Sequence, residues 1–236
     1  MSIQLIAHRC GTDRHPQLTI ESAEYSLGQG ACHVELDIRF TRDNIPVVSH
    51  NDNALELFGS PVKINRLTCE EFLSLRYCQD ARYSAKTLGD FLQSGIGPVL
   101  LHIKEGGERI FQIMDRMRAY NYGSRMTLGL ASLNDVEIVR NHFADIPILA
   151  FLPEKGQIPL FEEKGADIIR LWEEWLTPED VKRIHDNGKA VWVMAGGRRD
   201  GSVGSTAGDN LLKWRDMGVD GVLVDKIDWA RAVLGL

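Results

Sequence analysis

This sequence predicts an α/β fold, a single TIM (β/α)8 barrel with a small insertion after strand 2, and three observations predict it. Eight short β-rich apolar runs recur along the chain, at 3–7, 33–38, 99–103, 126–130, 147–151, 167–171, 190–194 and 221–224. Stretches of helical spacing separate most of them, among them 133–141, 178–187 and 210–217. The length, 236 residues, is about what one such barrel needs. Alternating β and α elements call for a parallel sheet, and eight repeats let that sheet close. An open doubly wound sheet is the alternative, because a count of strands does not show closure.

The elements carry their own start signals. Ser132-Leu133-Asn134-Asp135 opens one helix with a serine cap, and Thr177-Pro178-Glu179-Asp180 opens another with a threonine cap and proline at the first helical position. One interval breaks the rhythm: about sixty residues separate the second and third runs. It holds a short Pro46-Val47-Val48 run, a loop and two helical patterns, 68–76 and 87–93, the first with a capping box from Thr68 to Glu71. We read it as an insertion, about 45–95, at the catalytic end of a single domain covering 1–236, since loops after barrel strands carry function. The glycine-rich stretch 196–205 follows the seventh run and reads as a loop over the barrel mouth.

Composition narrows the partners. Hydrophobic residues make up 44% and charged residues 25%, which fits a packed globular chain rather than disorder. A net charge of -6, with both signs mixed throughout, argues against a nucleic-acid surface and against polybasic membrane attachment, leaving a small molecule as the expected partner. No apolar run approaches the roughly 20 residues of a membrane span. The first residues, Met1 to Ala7, lack a basic n-region, so the cytoplasm is the expected compartment. Cys10, Cys32, Cys69 and Cys78 show no metal-site or scaffold spacing and are expected as reduced thiols. No pattern sets an oligomeric state.

The candidate chemistry sits at strand ends. His8-Arg9 closes the first run, and Glu35-Leu36-Asp37 closes the second with both carboxylates on one face, because strand side chains repeat every two residues. Carboxylates held side by side repel, and a hard divalent cation is the common compensation. His102 and Lys104 share a face of the third run in the same way. For any one of these residues, a charged strand end facing water is an equal reading.

Taken together, His8-Arg9, Pro16-Gln17-Leu18-Thr19, Gly30-Ala31, Glu35-Leu36-Asp37-Ile38, Thr41-Arg42-Asp43, Pro46-Val47-Val48 and His50 resemble, in order and approximate spacing, the N-terminal signature of glycerophosphodiester phosphodiesterases. Thr87-Leu88-Gly89-Asp90-Phe91-Leu92, His102-Ile103-Lys104 and the segment from Val219 to Asp225 resemble later parts of that family, so the resemblance spans nearly the whole chain. It implies metal-dependent hydrolysis of a small phosphodiester, a glycerophosphodiester or a sugar phosphodiester, to an alcohol and a phosphomonoester. His8 and His50 would be general acid and base, Glu35 and Asp37 would hold a divalent ion, and Arg9 and Lys104 would pair with phosphate oxygens. A hydroxyl neighbouring the ester would attack phosphorus, giving a cyclic phosphate that water then opens.

The chain also departs from that pattern. Cys10 stands where the family usually has glycine, Gln17-Leu18 where it has glutamate-asparagine, Asn51 where it has aspartate, and His102 where it has its third metal-binding carboxylate. Imidazole in that place would weaken binding of Mg2+ or Ca2+ and suit Mn2+ better, leaving the ion's identity among the three open. Trp172, Arg198 and Arg199 are candidate substrate contacts, the indole for a sugar ring and the arginines for a second anionic group, against core packing and solvation as the plainer readings. Trp192 is a candidate aromatic wall. The competing readings are a catalytically degenerate barrel that binds a phosphorylated sugar, a phospholipase-D-like lyase releasing cyclic phosphate, and a phosphosugar isomerase or aldolase, in which paired His8 and His50 would have no obvious task. Cys10 is the one thiol near these residues, and it would share the face of His8 if the first strand ran on that far.

Overall fold

The computed structural model describes residues 3–198 and 201–236. Among them nine strands form one sheet: β1 Gln4–Ala7, β2 His33–Phe40, β3 Pro46–Val48, β4 Val99–Ile103, β5 Met126–Leu130, β6 Ile148–Phe151, β7 Ile168–Trp172, β8 Ala190–Met194 and β9 Gly221–Val224. Their order is β1-β9-β8-β7-β6-β5-β4-β2-β3. β1 also pairs with β2, Ile6 opposite His33, so the eight parallel strands close into a barrel and the open sheet is ruled out. β3 lies outside that ring. It runs antiparallel to the end of β2, with Val48 opposite Ile38.

Helices follow the strands as the spacing implies: α1 Ile20–Gly28, α2 Leu55–Phe58, α3 Cys69–Leu73, α4 Leu88–Gln93, α5 Arg109–Ala119, α6 Leu133–His142, α7 Ile158–Lys164, α8 Pro178–Asp186, α9 Gly208–Asp216 and α10 Ile227–Leu234. The expected caps form, with Ser132 accepting from Asp135 N and Thr177 from Asp180 N. In α3, Thr68 and Glu71 complete the reciprocal capping box, and Thr87 with Asp90 builds a second one on α4. The interval after β2 holds more structure than a loop and two helices, since α2 and a 3-10 turn at Ile64–Arg66 precede α3.

Strand alternation divides the apolar residues into two cores. Val34, Leu36 and Ile38 of β2 point outward into the layer shared with the helices, together with Leu101, Leu128 and Ile169 of other strands. A smaller core fills the barrel itself, from Ile6, Leu100, Leu149, Phe151, Trp192, Met194 and Leu223. Each fully buried Leu, Ile or Phe of this kind contributes about 1.5–3 kcal/mol. Trp192 belongs to this inner core, edge-on to His33 with centroids 5.5 Å apart, so it is packing and not the aromatic wall the sequence suggested. Gly129 on β5 is a required absence: a Cβ there would stand 2.4 Å from the Phe151 ring. That gap lets Phe151 reach across β5 and lie flat on His102, ring centroids 3.6 Å apart and planes 1° from parallel.

Candidate active site at the strand ends

At the ends of the strands opens a cavity of about 220 Å³, and His8, Arg9, Glu35, Asp37, His50, His102 and Lys104, which the sequence singled out, all line it. β1 stops at Ala7, and the chain turns sharply through a 3-10 turn at His8–Cys10. Arg9 and Cys10 there adopt φ of 46° and 69°, left-handed values that cost a residue with a Cβ about 1–2 kcal/mol each. Leu18 shares this strain, with φ 57°. The turn is held by Arg9 N, which donates to Glu35 Oε2 at 2.8 Å, and it delivers His8 and Arg9 to the cavity while sending Cys10 into the core. Cys10 is therefore not on the face of His8. Burial, and after it the charges of Glu35 and Asp37, holds its thiol well above the usual range, which removes it as a nucleophile.

Glu35 and Asp37, 1% and 0% exposed, point inward from β2 as the two-residue period requires. His102 Nδ1 faces them, 3.4 Å from Glu35 Oε1 and 3.1 Å from Asp37 Oδ1. One ligand atom from each of Glu35, Asp37 and His102 can be chosen so that all lie within 4.8 Å of one another, a spread that one divalent cation can span. Lys104 Nζ lies 2.8 Å from Asp37 Oδ1 and 2.9 Å from His102 Nδ1. The Asp37 contact is close without being aligned as a hydrogen bond, and neither Asp37 oxygen has a directed donor. Burial by itself would raise the Asp37 pKa, but Lys104 and His102 outweigh it and hold the carboxyl well below its ordinary value. A buried carboxylate that stays ionised with both oxygens unbonded is a donor set suited to a cation.

The two cavity histidines differ in their supports. His8 Nδ1 bonds Asp225 Oδ1 at 2.7 Å, from just beyond β9, which leaves Nε2 as the ring's free nitrogen. His50 Nδ1 bonds the amide oxygen of Asn51 at 2.8 Å. Burial lowers the His50 pKa from its usual value, only partly opposed by Asp37, so its ring is neutral at pH 7. Arg39 of β2 fixes the His50 main chain, donating from Nε and Nη2 to its carbonyl at 3.2 and 3.0 Å. Asn51 Nδ2 in turn donates to Glu56 Oε2 at 2.6 Å, while Glu56 Oε1 accepts from Arg9 Nη1 at 3.1 Å and Gln17 Nε2 at 3.0 Å. Glu56, on α2 within the insertion, thus supplies the carboxylate around which Arg9 and the two unusual amides assemble.

The far wall is built by Phe151, Arg170, Trp172, Met194 and Val203. Trp172 lines the cavity as expected, but guanidinium groups already engage its ring: Arg170 at 4.3 Å and Arg198 at 5.8 Å from the centroid. Arg198 is exposed at the rim, and its side chain bonds the carbonyl of Pro153. Arg199 lies outside the described residues. Glu173 ties down the loop after β8, accepting from Gly196 N at 2.7 Å, Thr206 Oγ1 at 3.0 Å and Asn210 Nδ2 at 2.6 Å.

Arg170 was not anticipated from sequence. It is 3% exposed, and among the described residues it makes no hydrogen bond and no ion pair, with Nε and Nη1 both buried and unbonded. Its contacts are aromatic, Trp172 and, at 5.0 Å, Phe151. Burial first and Arg198 second pull its pKa down to about 9, with Glu35 acting in the opposite sense, so it remains charged at neutral pH. A buried charge without a partner costs several kcal/mol, and each cation–π contact returns roughly 0.5–2 kcal/mol. The sequence signals for these residues are an arginine inside an apolar strand two residues before Trp172, and an aspartate following the last strand.

Residues 8–121 match the model of the glycerophosphoryl diester phosphodiesterase family. Over 69 residues, 29% of this chain, it is 39% identical to "Lysophospholipase D GDPD3" of Mus musculus. Over 73 residues, 31% of the chain, it is 36% identical to "Glycerophosphodiester phosphodiesterase 1" of Homo sapiens. The matched stretches span 21% and 22% of those relatives. A glycerophosphodiester phosphodiesterase of Parabacteroides distasonis superposes with TM-score 0.83 at 19% identity, covering 99% of this chain and 97% of that one. A phosphodiesterase of Oleispira antarctica, solved with its product sn-glycerol-3-phosphate, gives TM-score 0.77 at 18% identity over 100% and 98%. At these identities the structural likeness is one of fold.

Proposed function

We propose, from the premise that the chain belongs to the glycerophosphoryl diester phosphodiesterase family, that it hydrolyses a small glycero- or sugar phosphodiester to an alcohol and a phosphomonoester. The observation that carries this reading is the meeting of His8, His50, Arg9, Lys104 and the buried Glu35–Asp37 pair around one cavity. The product held by the Oleispira antarctica phosphodiesterase, sn-glycerol-3-phosphate, is consistent with a glycerol-bearing substrate.

In this reading His50 is the base and His8 the acid. His50 is neutral at pH 7, and because Asn51 occupies Nδ1, its Nε2 lone pair is the one free to take a proton. Asp225 can remain bonded to His8 whether the ring is neutral or charged, so His8 can hold a proton at Nε2 for the departing alcohol. Among the described residues no serine or threonine lines the cavity and Cys10 is buried, which leaves water or a substrate hydroxyl, and the family resemblance implies a hydroxyl next to the ester. Such a neighbour holds a proximity advantage of roughly 7–11 kcal/mol, and it leads through a cyclic phosphate. Arg9 and Lys104 neutralise the phosphate oxygens as charge shifts at phosphorus. Glu35, Asp37 and His102 would hold a divalent ion, Mg2+, Ca2+ or Mn2+, which supplies further charge stabilisation when bound. The cytoplasm fits the four free cysteines, and no helix among the described residues is long and apolar enough to cross a membrane.

One observation favours a second reading. Lys104 Nζ lies 2.8 Å from Asp37 and 2.9 Å from His102, so its ammonium is placed where it could neutralise the carboxylates in a barrel that only binds a phosphorylated sugar. Phosphorus NMR of a panel of glycero- and sugar phosphodiesters, with each metal in turn and with excess chelator, separates the two. The expected outcome is a phosphomonoester formed with metal and suppressed by chelation. Turnover that survives chelation removes the metal, and a silent panel favours the degenerate barrel. Accumulation of a cyclic phosphate marks a lyase.

A further inference from the structure

The cavity has two cationic sides, and among the described residues only one is paired with carboxylates. Lys104 contacts Asp37, and Arg9 contacts Glu56 and Gln17, so the cations beside the proposed acid–base pair have partners. Arg170, on β7, lines the same cavity with no carboxylate within ion-pairing distance among the described residues. Strands β5 and β6 separate it from β4, which carries His102, and the Phe151 ring that lies on His102 also contacts Arg170. Arg198 adds a further positive charge at the rim, over the same Trp172 ring.

We propose that Arg170 is a second anion subsite, and that the substrate is a phosphodiester whose alcohol portion carries another anionic group, a carboxylate or a second phosphate. This rests on the phosphodiesterase reading for the words substrate and alcohol; the subsite itself rests on Arg170 alone. The scissile phosphate would be held on the Arg9 and Lys104 side while the fork of Arg170, flanked by Phe151 and Trp172, takes the second anion. A guanidinium suits that task because its planar donors match the two oxygens of a carboxylate or phosphate. Its two aromatic neighbours hold it without competing for those donors. Among the described residues, no protein group bonds Nε or Nη1 and competes with the anion.

The test separates the subsite from turnover. Calorimetry of the metal-loaded protein uses three probes that share one phosphate: glycerol 3-phosphate, with a neutral tail; 3-phosphoglycerate, with a carboxylate; and 1,3-propanediol bisphosphate, with a second phosphate. At least one charged-tail probe should bind tenfold or more tightly than glycerol 3-phosphate, and the better of the two identifies the anion. In Arg170→Met that ratio should fall to about one. Equal affinities for all three in the wild type overturn the proposal whatever the variant does. So does a variant that weakens all probes equally and keeps the ratio, since Arg170 would then be touching the common phosphate. Arg170→Lys, which keeps charge and loses the fork, gives the comparison if the methionine variant does not fold. Matching phosphodiesters with neutral and anionic alcohols then test the substrate: if binding discriminates and none is turned over, the phosphodiesterase reading fails and the subsite stands.

Discussion

The two walls of the cavity are built on different electrostatic plans. On the wall from β1, β2 and β4, the main ionised groups answer one another: Lys104 sits on Asp37, Asp225 on His8, and Glu56 on Arg9. On the wall from β6 to β8 a single guanidinium is buried among aromatic and apolar side chains. The first arrangement holds side chains in fixed orientations, as the proposed acid–base chemistry requires. The second leaves a charge with no ion pair among the described residues. In the proposed reading, paired charges mark where the chemistry is held ready, and Arg170, unpaired among the described residues, marks where a second anion would bind.

The sharpest way to break this contrast is to disarm the paired wall. His8→Ala and His50→Ala should each lower kcat by roughly 10²–10⁴-fold on the best substrate, while far-UV circular dichroism stays unchanged. Near-normal turnover in either variant would mean that this wall is not where protons move. A smaller change sharpens the account of how His50 is tuned. In Asn51→Asp a carboxylate replaces the neutral amide on Nδ1 and favours the imidazolium, so the His50 pKa rises. In the proposed mechanism His50 is a base in its neutral form, so the acidic limb of the pH profile of kcat/KM should move to higher pH, by about one unit for a nearby opposite charge. An unmoved limb would show that another group sets it.

The smallest expected effect concerns the strained turn that presents His8. Cys10→Gly relieves a left-handed backbone worth about 1–2 kcal/mol but removes a fully buried side chain worth a similar amount, so urea denaturation should move by less than about 1 kcal/mol. A loss well above that would mean packing, not backbone conformation, decides this position. The left-handed φ of Cys10 and Leu18 explains why these positions in the resembled family favour glycine and asparagine, which tolerate that region best.

Local patterns made much of the fold legible in the sequence. Strand runs, the Ser132 and Thr177 caps and the Thr68 capping box depend on neighbours a few residues apart, and they appear where the spacing puts them. The inward pairing of Glu35 and Asp37 is likewise a consequence of strand alternation. What stayed hidden depends on closure. Asp225 meets His8 across 217 residues of chain, and Glu56 meets Arg9 across 47, so no spacing rule announces them. Arg170 was invisible for another reason: a strand arginine reads as an ordinary charge until its surroundings are known to lack an acid. Trp172 lines the cavity, but its ring engages arginines, which the motif could not convey.

The flat contact between Phe151 and His102 bears on how quickly the carboxylate cluster can change state. For the imidazole to turn over about its χ2 axis it would have to stand on edge, into space that a ring centred 3.6 Å away already fills. The nitrogen facing Glu35 and Asp37 is therefore constrained by Phe151 independently of any ion. Gly129 makes this possible by having no side chain, so a residue that touches neither substrate nor ion determines how much freedom a candidate ligand has left to lose.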